Sequence, residues 1–146
     1  MVVPGTTTVP AGCMFCNPDP ALVIGQHRSA FALVFSEPIR PGHITVGVRA
    51  HKPFLQDITP EEAADVLSYA NQLSRRLVEE YSAEKIYVFA VGDASEHFHL
   101  HLVPKSSSDP RLGPFLFGDS GWASKVGAKF PEEARRRLAV LLRSAV

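Results

Sequence analysis

One short stretch limits what this chain can become: Glu96-His97-Phe98-His99-Leu100-His101-Leu102-Val103-Pro104. Three histidines alternate strictly with large apolar residues. Successive side chains of a β-strand point to opposite faces. Read as a strand, the stretch puts His97, His99 and His101 on one face and turns Phe98, Leu100 and Leu102 toward a core. Same-face neighbours are roughly 6.5–7 Å apart, so His97 and His101 are roughly 13 Å apart at Cα. Two neighbours can share a metal ion, whereas all three on one metal would need a distorted strand. The spacing therefore predicts a division of labour along the row. A half-exposed strand that carries histidines by chance would not interleave them so regularly with apolar residues.

The flanking chain supplies partners for that strand. Leu22–Ile24 reads as a short strand. The apolar run Ala30–Phe35 and the β-branched run His43–Val48 are separated by Pro38 and Pro41-Gly42, which predicts an antiparallel hairpin. Thr59-Pro60-Glu61-Glu62 has the form of a helix start, with Thr59 at the N-cap, proline at the first helical position and Glu62 completing a capping box. Val66, Leu67, Ala70, Leu73 and Leu77 then recur at helical spacing, predicting a core-facing helix that ends near Tyr81. Ile86–Val91 reads as another strand, and Gly92-Asp93-Ala94-Ser95 turns the chain into the histidine strand. Residues 104–127 form a long loop-like segment holding Phe115, Phe117 and Trp122. Pro131 opens a C-terminal helix with Leu138, Leu141 and Leu142. Strands and helices in this order predict an α+β fold built on an antiparallel sheet of about five strands. One long helix follows residue 59 and a second closes the chain.

The chain has 146 residues, enough for one domain with a real core. Residues 1–12, rich in Thr, Val and Pro, are expected to be a flexible tail and 13–146 a single domain. The formal net charge of zero gives no drive toward nucleic-acid polymers or membrane surfaces. No apolar run approaches the ~20 residues of a membrane span, and no signal peptide is evident. A cytoplasmic location is expected. There, a lone Cys13-x-x-Cys16 pair points to metal binding or catalysis sooner than to a structural disulfide.

Taken together, Cys13-x-x-Cys16, Pro41-Gly42-His43 ahead of a β-branched strand, and His97-Phe98-His99-Leu100-His101-Leu102-Val103 resemble the histidine triad (HIT) superfamily of nucleotide hydrolases and transferases. The resemblance covers Cys13 to about Trp122. It implies a HIT-like antiparallel sheet with helices, assembled as a homodimer. It also implies a reaction, in which His99 attacks the α-phosphorus of a nucleotide derivative and forms a nucleotidyl-histidine that water or another acceptor resolves. Neutral imidazole suits that role. A main-chain carbonyl on the same strand would hold its other nitrogen as the donor. His101 and His43 would contact the phosphate or the leaving group. Bacterial members with an N-terminal Cys-x-x-Cys carry structural zinc, and the ligand set carried over is Cys13, Cys16, His51 and His97. His27 has no role in this scheme and is expected at the surface.

Two departures from the family pattern bear on the ligand. The family's ribose-binding Asp or Asn, eight residues before the Pro-Gly-His histidine, is here Phe35, which can neither donate nor accept those hydrogen bonds. The glycine- and glutamine-containing run before the triad is replaced by Asp93-Ala94-Ser95-Glu96, whose carboxylates would repel a phosphate unless turned away or protonated. Phe35 and Asp93 are thus the substrate-binding positions at which the ligand is expected to differ. The expected function is a nucleotide hydrolase or nucleotidyl transferase acting on a phosphoanhydride, phosphoramidate or related ester. The alternative is a non-catalytic nucleotide- or phosphate-binding protein with altered specificity. A cupin-type metalloenzyme is disfavoured by the helix after Thr59.

Overall fold

The computed structural model describes residues 12–109 and 129–143. Five strands run in the order β1 (Val23–His27), β2 (Ala30–Val34), β3 (Ile44–Val48), β4 (Lys85–Phe89) and β5 (His99–Lys105). Between β3 and β4 lies α1 (Pro60–Tyr81), and α2 (Glu132–Arg143) closes the described chain. The strands form one sheet in the spatial order β1-β2-β3-β5-β4, with every neighbouring pair antiparallel. This is the α+β architecture that the sequence predicts. Among the described residues no helix is long and apolar enough to cross a membrane.

The local signals explain most boundaries. Thr59 accepts a hydrogen bond from Glu62 N–H, and the Glu62 carboxylate accepts one from Thr59 N–H at 2.8 Å, so the capping box closes and α1 starts at Pro60. The helix ends at Tyr81 because Ser82 enters the left-handed region at φ 48°. The first strand starts later than predicted. Asp19 caps a single 3-10 turn over Pro20–Leu22, which delays β1 to Val23. His27, expected at the surface, is half-buried with its ring 5.8 Å from that of Tyr69.

The sheet has two differently used faces. Ile44, Val46 and Val48 of β3 pack with Leu102 of β5 against Val66, Tyr69, Leu73 and Leu77 of α1, joined by Leu138, Ala139 and Leu142 of α2. The register pairs Gly47 with His99 and Thr45 with His101 on the opposite face. Side-chain alternation therefore sends one set of β5 residues into the core and the histidines away from it. One correction follows for the histidine stretch singled out in the sequence. The regular strand starts at His99, and His97 sits on a bend just before it. Phe98 N–H there donates to the Lys52 carbonyl at 2.7 Å, outside the ladder. Phe115, Phe117 and Trp122 lie outside the described residues, as does the predicted tail up to residue 11.

Candidate functional site: a histidine row beside a thiol knuckle

Four buried histidines line the face away from α1: His43, His97, His99 and His101, each at most 5% exposed. His43 is delivered by the turn after Pro41. Gly42 there has φ +88°, and a Cβ would meet the Tyr81 ring at 2.7 Å, so glycine is required both for the backbone and for space.

Backbone groups at the two ends fix every proton in the row. Ile39 N–H can only donate, and it donates to His43 Nδ1 at 3.0 Å. The His43 proton therefore sits on Nε2, which donates to His101 Nδ1 at 2.9 Å. His101 then carries its proton on Nε2 and donates to His99 Nε2 at 3.1 Å. His99 in turn carries its proton on Nδ1, which donates to the His97 carbonyl at 2.6 Å. The whole chain is neutral and points one way. It leaves a lone pair on His99 Nε2, with the His101 N–H resting on it.

Electrostatics agree with neutral rings. Burial, then His101 and His99, hold His43 well below the ordinary histidine value. Burial and the neighbouring His99 bring His101 down to about 3. Burial also lowers His99, while its bond to the His97 carbonyl works in the opposite direction.

Aromatic rings pack around the row. Phe15 stacks on His99 with ring centroids 4.5 Å apart, Phe89 stacks on His101 at 4.9 Å, and Phe35 lies 4.6 Å from the ring of His43 and edge-on to His101 at 5.0 Å. Phe35, at 7% exposure, is thus packed onto the row. A cleft of about 440 Å³ opens beside the row. It is lined by His99 and His101, by Phe35-Ser36-Glu37, by residues 91–95 including Asp93, and by Met14. Asp93 is exposed on this lining, and Glu96 is exposed but not part of it.

Cys13, Cys16, His51 and His97 form a second group, with their ligand atoms all within 4.8 Å of one another. Zinc with Zn–S of 2.3 Å and Zn–N of 2.0–2.1 Å implies tetrahedral edges of about 3.3–3.8 Å. Here Cys13 Sγ and Cys16 Sγ each lie 3.5 Å from His97 Nδ1, Cys16 Sγ lies 3.3 Å from His51 Nδ1, and the two Nδ1 atoms are 3.1 Å apart. His97 Nε2 donates to the Val48 carbonyl at 2.5 Å, which turns the Nδ1 lone pair inward. Burial and the adjacent Cys13 push the Cys16 thiol up to about 11, so two thiolates need a cation between them. The four residues form a possible metal site whose spacing fits a tetrahedral ion.

The nine residues singled out in the sequence fall into two adjoining clusters. His43, His99 and His101 form the row, with Phe35 packed on it and Asp93 across the cleft. Cys13, Cys16, His51 and His97 form the knuckle site. Sequence reasoning missed Phe15, Phe89 and Gly47. A glycine inside the β-branched run Ile44–Val48 was a legible sign of close backbone approach. The two phenylalanines carried no such sign.

The model of the HIT domain matches residues 17–108. Bis(5'-adenosyl)-triphosphatase of Dictyostelium discoideum is 33% identical over 86 residues, which cover 55% of this chain and 57% of that protein. AP-4-A phosphorylase of Mycobacterium tuberculosis is 26% identical over 128 residues, covering 83% of this chain and 63% of that one. This chain thus spans little more than half the length of these relatives. Among solved structures, a Zn-bound histidine triad family protein from Mycobacterium smegmatis is similar with a TM-score of 0.65 and 23% identity, over 92% of both chains. A Hit-like protein from Bartonella henselae aligns with a TM-score of 0.67 at 18% identity, over 91% of this chain and 92% of that one. At these identities the two structures speak for the fold.

Proposed function

This chain belongs to the HIT domain family, and from that premise we propose that it is a nucleotide hydrolase or nucleotidyl transferase that works through a covalent nucleotidyl-histidine on His99. The observation that carries the reading is the bond from His99 Nδ1–H to the His97 carbonyl at 2.6 Å. It holds the imidazole in the tautomer that keeps a lone pair on Nε2, which a nucleophile requires.

In the proposed reaction the α-phosphate enters the cleft and takes over the hydrogen bond from His101 Nε2–H. Nε2 of His99 attacks phosphorus as the bond to the leaving oxygen breaks. The electron pair of that bond departs on the leaving phosphate, with His101 donating to it and His43 holding His101. Such a reaction needs positioning and charge stabilisation, which a row of oriented N–H donors supplies. Water or a second acceptor then displaces the nucleotide, and the electron pair returns to Nε2.

Zinc in Cys13, Cys16, His51 and His97 would be structural, because four protein ligands leave no open position. When bound it would neutralise the thiolates and clamp residues 13–16 against the histidine strand. Free cysteines at both positions suit a reducing, cytoplasmic setting. The relatives named as a bis(5'-adenosyl)-triphosphatase and an AP-4-A phosphorylase make dinucleoside polyphosphates the first substrates to try. A homodimer is part of the proposal, and β4, an outer strand with Val88 exposed, suits pairing with a second copy.

The test is a panel of dinucleoside polyphosphates, nucleotide phosphoramidates and nucleotide sugars, with intact mass measured on quenched samples. Wild type is expected to turn over at least one class and to carry a nucleotidyl adduct. His99→Ala should carry none and lose roughly 10⁴-fold or more in rate. Unchanged turnover in His99→Ala would refute the assignment. A second reading, a nucleotide- or phosphate-binding protein without turnover, is favoured by one observation: Phe35 packs on His43 and His101 where the family resemblance places a ribose-binding side chain. Binding without turnover anywhere on the panel would select it.

A further inference from the structure

Phe15 lies between the two cysteines of the knuckle, at 5% exposure, and contributes no metal-binding atom. Its ring is stacked on two histidines at once, at 5.1 Å and 26° on His97 and at 4.5 Å and 29° on His99. Core packing alone would ask only for apolar bulk at this position. The stacking on His99 turns the negative face of the phenyl ring toward the imidazole.

We propose that Phe15 stabilises the positive charge that His99 acquires while it carries the nucleotidyl group. The proposal rests on the covalent reading above. In the resting row His99 is neutral, with its proton on Nδ1 and a lone pair on Nε2. When that lone pair forms the bond to phosphorus, the bond to the leaving oxygen breaks and its electron pair departs with the leaving phosphate. The proton on Nδ1 stays on its bond to the His97 carbonyl. The ring then has both nitrogens substituted and carries a positive charge. That charge persists until water attacks phosphorus, releases a proton to solvent and returns the electron pair to Nε2. A phenyl face within about 6 Å attracts such a cation far more than the neutral ring. The stabilisation is thus specific to the intermediate and to the transition states on either side of it, which is the form of binding that accelerates a reaction.

The knuckle explains why the ring is already in place. Cys13 and Cys16, on either side of Phe15, converge on His97 with both Sγ atoms 3.5 Å from its Nδ1. The segment that carries the ring is therefore anchored on both sides, two residues before it and one after, and the ring need not reorganise as charge develops. The Cys-x-x-Cys segment would then serve the reaction through Phe15 as well as holding an ion.

The test replaces Phe15 with singly and multiply fluorinated phenylalanine, which drains the negative ring face at nearly constant volume. Phe15→Leu is made alongside. Adduct formation is followed by rapid quench and intact mass with a diadenosine polyphosphate as probe. KM, zinc content and thermal midpoint are measured on each variant. The rate of adduct formation should fall stepwise with fluorine number, and by roughly 3–30-fold in Phe15→Leu. KM of the fluorinated proteins should change by less than about 2-fold. Zinc content and thermal midpoint should not follow the fluorine series. A flat fluorine series overturns the proposal even if Phe15→Leu is slow, because bulk would then be the whole effect. A rate that falls only in step with lost zinc overturns it as well. Wild type that forms no adduct removes the covalent reading and this proposal together, whereas an adduct formed at equal rates across the series removes this proposal alone.

Discussion

Replacing Gly47 by alanine should damage the site with a single methyl group, and the size of the effect can be worked from distances. Gly47 pairs with His99 across β3 and β5. Its φ is not among the positive ones, so it is needed for space and not for backbone conformation. A Cβ at this position would lie 2.8 Å from the Phe98 carbonyl oxygen and 3.1 Å from His99 Cβ. Ordinary van der Waals contact begins near 3.4 Å, so the carbonyl must retreat by about 0.6 Å. That carbonyl accepts from Val48 N–H at 3.3 Å, already long, and the retreat breaks the bond. Overpacking of this kind costs about 1–3 kcal/mol, and removing a strand glycine returns about 0.5–1 kcal/mol. The net loss, at most about 2.5 kcal/mol, should lower the thermal midpoint by up to about 8–10 °C in a chain of this size. His99 moves with the strand. Since a misplacement of about 1 Å can cost on the order of 100-fold in rate, a shift of half that should cost about 10-fold. Calorimetry and adduct formation by rapid quench measure the two effects. A Gly47→Ala protein with the wild-type midpoint and rate would show that the sheet yields freely here, and the close-approach reasoning would fail.

Other predictions concern charge and metal. His101, brought down to about 3, and His43, held well below 6.5, bind protons more weakly folded than unfolded. Stability is therefore full above about pH 6.5 and falls as pH drops toward 3, by up to about 1.4 kcal/mol per pH unit for each histidine. Urea midpoints between pH 7 and 4 should show this, and His101→Phe should flatten the slope; an equal slope in the variant would contradict it. Cys13→Ser should lose stoichiometric zinc and reproduce the lowered thermal midpoint of chelator-treated wild type. Equal zinc in both proteins by elemental analysis would reject the knuckle site.

Much of this could be read in the sequence because it is written in short-range patterns. The period-two alternation of the histidine stretch fixed which residues face away from α1, and the Thr59–Glu62 capping box fixed where that helix starts. The hairpin of Ala30–Val34 with Ile44–Val48 followed from two apolar runs and the prolines between them. Small errors arose where a local competitor was overlooked. The Asp19-capped turn delayed β1, and the bend at His97 delayed β5. His97 departs from the strand because its ring is claimed twice, by the Val48 carbonyl on one nitrogen and by the thiol knuckle on the other.

Residue types and spacing determined by themselves that this chain would carry a row of histidines on one face of an antiparallel sheet and a thiol pair suited to metal. Only the tertiary structure decided how the row is wired. The direction of the protons from Ile39 N–H to the His97 carbonyl depends on bonds spanning 58 residues between His43 and His101, and no local pattern encodes it. The same holds for Phe15, which reaches His99 from the other end of the chain. Stacking and tautomer choice depend on distances of a few tenths of an ångström between segments remote in sequence, and those distances are set only when the whole core packs.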